Sequence, residues 1–318
     1  MLNRPTKYLT AMLITLCIGC LVLSANQSFA SEQISPGTNS RQAKKQAIQT
    51  LPYSQLNADT QSKISSVVNN PSIYRRLPVT AINVDPDMFL FLVRYPEVIV
   101  NIWQLMGVTQ MTVDRTGPFT MKSNDGAGAI SNVELVYGTH NKNIYYAEGT
   151  YSGPLLKRKL KGRAVMILNT SYERDANGKP RTVNSLDVFV KVENATASLI
   201  AKTLNPIVGP TADHNFVESM KFVQRLNETT EQNGIGVQRM AQRLTSIEET
   251  TRNNFAKIAG TVYERSARKP TVRNASVPDQ NRSSQSRIPA YPPQSQYTKN
   301  RFGILQTGFR EIKSVFGK

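Results

Sequence analysis

Hydrophobic residues recur along this chain in three patterns, and each pattern predicts a different kind of element. The first is an uncharged apolar run over 8–25, which follows a short basic start. Ser28 and Ala30 then place small residues at the two positions that a signal peptidase reads. We therefore expect 1–30 to be a signal peptide. The mature protein would be exported to the periplasm or the cell exterior, peripheral to a membrane.

The apolar run allows two other interpretations. It is long enough to cross a bilayer, so it could remain as an uncleaved anchor. Cys17 and Cys20 faintly resemble a lipoprotein processing box, which would make the protein lipidated. Both cysteines of the chain lie in this run, so the exported part has no disulfide to stabilise it.

The second pattern is helical. Asp85 is a suitable helix cap, Pro86 fits the first helical position, and Asp87 follows in the first turn. Pro96 interrupts this helix. Up to Gly107, apolar residues then recur at the spacing of one helix face: Ile99, Ile102, Trp103 and Met106. The pattern predicts a kinked helix, or two short ones, with one buried face.

The third pattern is an alternation of polar and apolar residues, interrupted by turn residues. It predicts strands over 108–115, 118–123, 129–138, 143–152, 159–172 and 182–193. The short connections favour antiparallel neighbours. In the last strand Leu186 and Val188 share one face, whereas Asp187 and Phe189 share the other, which is typical of a sheet covered on one side.

A helix that could cover this sheet follows it. From Asp213 onward, apolar residues recur at helical spacing: Phe216, Met220, Val223 and Leu226. Apolar residues continue at spacings of three and four between Val237 and Ile258. This continuation predicts either a coiled-coil-like arm over 233–260 that could self-associate, or a second amphipathic helix that folds back on the domain.

The remaining segments are mainly polar. Residues 31–52 predict a flexible lead-in, 53–68 a short helix, and 261–300 a disordered basic linker. The final segment, 301–318, has the spacing of an amphipathic basic helix that docks on a membrane or on a protein partner. Its contact residues would be Phe302, Leu305, Phe309, Arg310, Ile312, Lys313 and Phe316.

The net charge of +17 favours anionic partners, and export makes nucleic acid the least expected of them. A basic cluster stands at the tip of a predicted hairpin: Leu155, Leu156, Lys157, Arg158, Lys159 and Lys161. It predicts a contact with anionic lipid headgroups in which the two leucines insert. The alternative is a solvated turn that protects the sheet edge.

Candidate catalytic and metal-binding groups are few. The chain has two histidines, His140 in a predicted turn and His214 in the first turn of a helix, and both are expected to be ordinary polar residues. The mature part cannot supply the several His or Cys ligands of a zinc site, so we predict no metal and no cofactor. Glu134 and Glu148 lie on adjacent predicted strands and could form a carboxylate pair if both faced a cavity.

Together, an early helix with Trp103, a meander of strands and a following amphipathic helix resemble the START-like, or helix-grip, lipid-binding superfamily. The resemblance implies an α+β fold in which a curved antiparallel sheet grips a long C-terminal helix, here over 53–232. It also implies a strand before the first helices, for which 79–82 is available. The ligand cavity between sheet and helix would be lined by Trp103, Tyr146, Phe216 and Met220.

These observations favour an exported, non-enzymatic module that holds a lipid or another hydrophobic ligand and associates with an envelope surface. One alternative is a structural or adaptor protein with a filled core, which binds a protein partner through its C-terminal helix and tail. Another is an enzyme of the cyclase or hydratase type, which would need carboxylates or histidines that face the cavity.

Overall fold

A large antiparallel sheet carries the fold. The computed structural model describes residues 32–152, 159–193 and 209–268. Along the chain its elements are β1 (Glu32–Ser35), α1 (Arg41–Gln49), a 3-10 turn (Tyr53–Gln55), α2 (Ala58–Val68), β2 (Ile73–Arg76), β3 (Val79–Asn83), α3 (Pro86–Arg94), α4 (Pro96–Leu105), β4 (Thr112–Arg115), β5 (Thr120–Asn124), β6 (Ala129–Gly138), β7 (Lys142–Tyr151), β8 (Leu160–Arg174), β9 (Pro180–Val192), α5 (Pro210–Gln232), α6 (Gly234–Gln242) and α7 (Glu249–Ala267).

The strand order confirms the predicted fold class. The order is β1-β3-β9-β8-β7-β6-β5-β4, with β2 also paired to β9, and all pairs are antiparallel. The six strands from β4 to β9 are those expected from the alternation. The strand expected at 79–82 is present as β3, directly before α3 and α4 although after α1 and α2, and it pairs with the last strand. The long helix α5 lies against this curved sheet and contacts β3.

The inner face of the sheet is covered by α3, α4 and α5. The apolar stripe of α5 is buried as predicted: Phe216, Met220, Val223 and Leu226. The predicted kink at Pro96 is also present, because α3 and α4 meet at 86°. Among the described residues no single helix is long and apolar enough to cross a membrane, whereas this bent pair passes that test by length and composition.

The segment after α5 folds back on the domain. Helix α7 contacts α3, α5 and α6, and the ring of Phe255 stacks on Phe91 at 6.0 Å. Val237, Met240 and Leu244, which had suggested a self-associating arm, are at most 4% exposed within this chain's own core. The same spacing of apolar residues packs these helices against their own domain. The coiled-coil interpretation of 233–260 is therefore wrong.

The outer face of the sheet is covered as well, by α1 and α2. The prediction of a flexible lead-in over 31–52 is wrong for this reason: Ser40 caps α1 by accepting from the N–H of Ala43, and Ala43 and Ala47 are buried. Asp187 and Phe189, assigned to a solvated face, are each 0% exposed beneath these helices. A second hydrophobic core therefore lies outside the sheet.

Candidate ligand-binding cavity

A cavity of about 80 Å³ lies between the inner face of the sheet, the α3–α4 pair and α5. Its wall is almost wholly apolar. The helices contribute Phe89, Leu92, Val93, Pro96, Ile99, Val100, Trp103, Phe216, Ser219, Met220 and Val223, and the sheet and its connection contribute Met111, Tyr145, Met166, Leu168 and Leu186.

Three of the four residues predicted to line a cavity are in this wall, namely Trp103, Phe216 and Met220. The prediction for Tyr146 is wrong, because Tyr146 belongs to the core outside the sheet. Its neighbour Tyr145 faces the cavity instead, since successive residues of a strand point to opposite faces. Glu148 is two residues from Tyr146, so both lie on the same face of β7. The exposed charge of Glu148 was the signal that this face points away from the cavity.

The cavity comes closest to solvent at the bend between α3 and α4. Val93 and Ile99 are the two lining residues that are half-buried, and the other lining side chains are buried. They stand on either side of the bend at Tyr95 and Pro96. This bend is therefore the natural place for the cavity to open.

Two side chains from the sheet hold the bend in place. Pro96 has no N–H and the helix axis turns there, so carbonyls at the end of α3 need partners outside the helix. The Tyr145 hydroxyl donates to the carbonyl of Val93. Arg115 donates from Nη2 to the carbonyl of Arg94 at 2.9 Å. The end of α3 is thus tied to β7 and β4.

Arg115 also binds the other side of the bend. Its Nε and Nη2 donate to the two carboxylate oxygens of Glu97 at 2.5 and 2.9 Å, and its guanidinium lies 4.6 Å from the ring centre of Tyr95. The side chains of Glu97 and Arg115 are 2% and 8% exposed. Burial lowers the pKa of Arg115, but the hydrogen bond to Glu97 and the attraction of the surrounding negative charges together outweigh it, so that pKa is raised. The guanidinium of Arg115 therefore stays charged.

The candidate catalytic carboxylates do not face the cavity. Glu134 pairs across the strands with Tyr146 and accepts from the ammonium of Lys63 at 3.2 Å, on the outer side of the sheet. Glu148, of the same parity as Tyr146, is exposed there. The Glu134 and Glu148 pair imagined for a hydrolase or cyclase is thus on the wrong side of the sheet.

The two histidines lie elsewhere. The ring of His140 lies tilted against Tyr172 with ring centres 4.2 Å apart, and His214 is exposed near the start of α5. Within 32–152, 159–193 and 209–268, no group of three or more His, Cys, Asp or Glu side chains is placed to hold a metal ion.

Part of the predicted surface contact can be located. Lys159 and Lys161 are exposed at the start of β8. The remaining contact residues lie outside the described residues: Leu155, Leu156, Lys157, Arg158, Phe302, Leu305, Phe309, Arg310, Ile312, Lys313 and Phe316. The predicted signal segment, 1–30, lies outside them too, as does the predicted basic linker, 261–300, beyond Arg268. The prediction of a disordered linker is wrong for 261–267, because these residues form the last turns of α7.

Comparisons with known proteins add little. No protein-family model and no curated protein matches this chain. One similar solved structure is the crystal structure of the di-domain ARO/CYC BexL from the BE-7585A biosynthetic pathway. The match is 15% identical with a TM-score of 0.26, and it covers 52% of this chain and 57% of that one. At this score the likeness carries no argument, so the fold assignment rests on strand order and on the gripped helix.

Proposed function

We propose that this protein is a START-like binding module that holds a small hydrophobic ligand between the sheet and α5. The observation that carries the proposal is the apolar cavity at the position where a helix-grip fold can enclose a ligand. Burial of an apolar molecule in such a wall stabilises the complex by removing apolar surface from water.

The cavity is smaller than the site of a typical drug-sized ligand. Sites that enclose a drug-sized ligand occupy about 300–1,000 Å³, whereas this cavity measures about 80 Å³. A molecule of that size therefore needs the wall to move. The bend beside Val93 and Ile99 is the place for this movement, because these two half-buried lining residues bring the cavity closest to solvent.

We propose binding rather than catalysis. The described lining contains no carboxylate and no imidazole, which are the usual groups for proton transfer. We further propose that the module is exported and works beside a membrane. The apolar run over 8–25 with its basic start supports export, and the exposed Lys159 and Lys161 support attraction to anionic headgroups.

The test is native mass spectrometry, with solvent extraction, on the protein purified from its own host. A co-purifying apolar molecule in a stoichiometric amount is the expected result. A protein that is empty, and that also takes up no fluorescent lipid from vesicles, would contradict the proposal and leave the adaptor with a filled core.

A matched pair of variants ties the result to this cavity. Val223→Phe adds bulk inside the wall, so it should abolish uptake. Ile130→Phe adds bulk on a side chain that is 43% exposed and does not line the cavity, so it should bind like the unchanged protein. Circular dichroism of both variants checks that they are folded.

A further inference from the structure

One polar group in the cavity wall has no partner. The side chain of Trp103 is 3% exposed, and its indole N–H is sealed from solvent with no hydrogen-bond acceptor among the described residues. The other polar side chains of the wall are engaged: the Tyr145 hydroxyl donates to the carbonyl of Val93, and Ser219 interacts within the protein. Trp103 therefore brings an unused donor to an apolar site.

Such a donor is rare in a folded core, where buried indole N–H groups usually find an acceptor. The nearest aromatic neighbour, Phe222, meets the indole edge to face at 5.5 Å and 65°. An aromatic face is at best a weak acceptor. The neighbouring ring therefore relieves little of the loss that the N–H suffers when it leaves water.

We infer that the indole N–H of Trp103 is the hydrogen-bond donor for the ligand, and that the ligand is an apolar molecule with an uncharged acceptor oxygen, such as a ketone or an ester. This inference rests on the proposed function. An indole N–H donates and cannot accept, which selects an acceptor on the ligand. The described lining contains no lysine, arginine or histidine that could neutralise a carboxylate, so the acceptor is uncharged.

The acceptor reaches this donor as the cavity expands. In the present state the indole nitrogen is packed among protein atoms, so the oxygen must arrive on a molecule that enters the cavity and displaces part of the wall. Trp103 lies on α4, which begins directly after the bend. A movement of α4 at the bend would enlarge the cavity and uncover the indole at the same time. The new hydrogen bond to the ligand would offset part of the free energy that this movement costs.

The experiment uses the fact that Trp103 is the single tryptophan of the chain. In a ¹H–¹⁵N spectrum of the full chain it gives one indole signal. The probes are 2-hexanone and 2-methyl-1-hexene, which have nearly the same shape and differ by a carbonyl oxygen in place of a methylene group. We expect saturable binding of both, a downfield shift of the indole proton with the ketone alone, and roughly five- to tenfold tighter binding of the ketone.

Trp103→Phe keeps an aromatic ring and removes the donor. The preference for the ketone should then disappear, whatever the change in absolute affinity. Equal binding of both probes to the unchanged protein, with no indole shift, would overturn this inference and leave the proposed function standing. If neither probe binds, the proposed function falls with it. The spectra of the unchanged protein decide the question even if the variant does not fold.

Discussion

Both faces of the sheet are covered by helices over an apolar core, and yet they differ in how they are filled. On the outer face, Asp187 is 0% exposed and accepts from the Tyr74 hydroxyl at 2.7 Å and from Arg76 Nε at 2.9 Å, while Phe189 packs against Tyr74 with ring centres 4.9 Å apart. On the inner face the wall is apolar, a cavity remains, and the Trp103 N–H has no hydrogen-bond acceptor within the described part of the chain.

This difference bears on the role of each face. The outer face is fully packed and hydrogen-bonded, whereas the inner face is incompletely filled. A satisfied buried network is rigid, because each of its members loses its partner if one element shifts. An incompletely filled core lacks some dispersion contacts and is less stable for that reason. A ligand that fills the space restores those contacts. We therefore propose that the outer face mainly stabilises the fold and that the inner face binds the ligand.

The largest effect should follow from breaking the outer network. Asp187→Ala removes the acceptor of both Tyr74 and Arg76 and leaves the guanidinium without its ion pair. We expect the free energy of unfolding to fall by about 3–5 kcal/mol, as measured by urea denaturation. Asp59→Ala is the control, because the Asp59 side chain is 73% exposed and its pair with Lys63 should contribute less than about 1 kcal/mol. Equal losses would contradict the assignment.

The same truncation on each face should give different losses. Phe189→Ala removes a ring that is 0% exposed in the filled outer core, and we expect a loss of about 4–5 kcal/mol. Phe216→Ala removes a ring that is 1% exposed but borders the cavity, so it has fewer contacts to lose and should cost about 3 kcal/mol. Urea denaturation of both variants measures the difference, and a reversed order would show that the inner face is the better packed one.

Two neighbouring tyrosines sharpen the comparison further. Tyr145→Phe leaves the carbonyl of Val93 without its donor at the bend, so we expect a loss of about 1–3 kcal/mol and faster exchange of a bound probe. Tyr146→Phe removes a long contact of 3.4 Å to the exposed Glu148 and should cost less than about 0.5 kcal/mol. Thermal unfolding and stopped-flow release of a fluorescent probe test both. Faster release from the Tyr146 variant would refute the role of the bend.

The smallest effect is a pH dependence on the outer face. Burial, and then the hydrogen bond to Asp187, raise the pKa of Tyr74 above its ordinary value near 10. Above about pH 10 the unfolded chain ionises this phenol while the folded protein keeps it neutral. Stability should thus fall as pH rises, by about 1.4 kcal/mol per unit from this residue.

Tyr74→Phe lacks this dependence. The gap in unfolding free energy between the unchanged protein and the variant should therefore shrink by about 1 kcal/mol from pH 10 to pH 11, because the unfolded phenol is already half ionised at pH 10. Urea denaturation at both pH values measures it. A gap that stays constant would mean that the phenol is not protected from ionisation.

Much of the inner face was predictable, because each of its elements has a strong local pattern. The stripe from Phe216 to Leu226 predicted the gripped helix, and Pro96 predicted the bend. Tyr146 was chosen instead of Tyr145 because the sequence did not show which of the two alternating sets of side chains on β7 faces inward. The buried pair of Glu97 and Arg115 was missed as well, since 18 residues separate its members.

The outer face was harder to predict for a physical reason. Helix α1 buries Ala43 and Ala47, which are too small to give a clear apolar stripe. Arg76 and Asp187 are polar residues in strands, and a polar residue in a strand normally indicates a solvated face. Asp187 is buried and Arg76 is half-buried because α1 lies above them, and that contact joins residues far apart in the chain.

The most direct test of this account is a methyl NMR titration of the protein with xenon, an apolar atom that enters dry cavities. Along β8 the side chains alternate, so Met166 faces the cavity while Val165 and Ile167 face the outer core. We predict saturable shifts at Met166 and at Met220, and none at Val165 and Ile167. No shifts at Met166 and Met220 would contradict the claim that the inner face holds a binding cavity. Equal shifts on both faces would contradict the claim that, among the described residues, the inner face alone holds one.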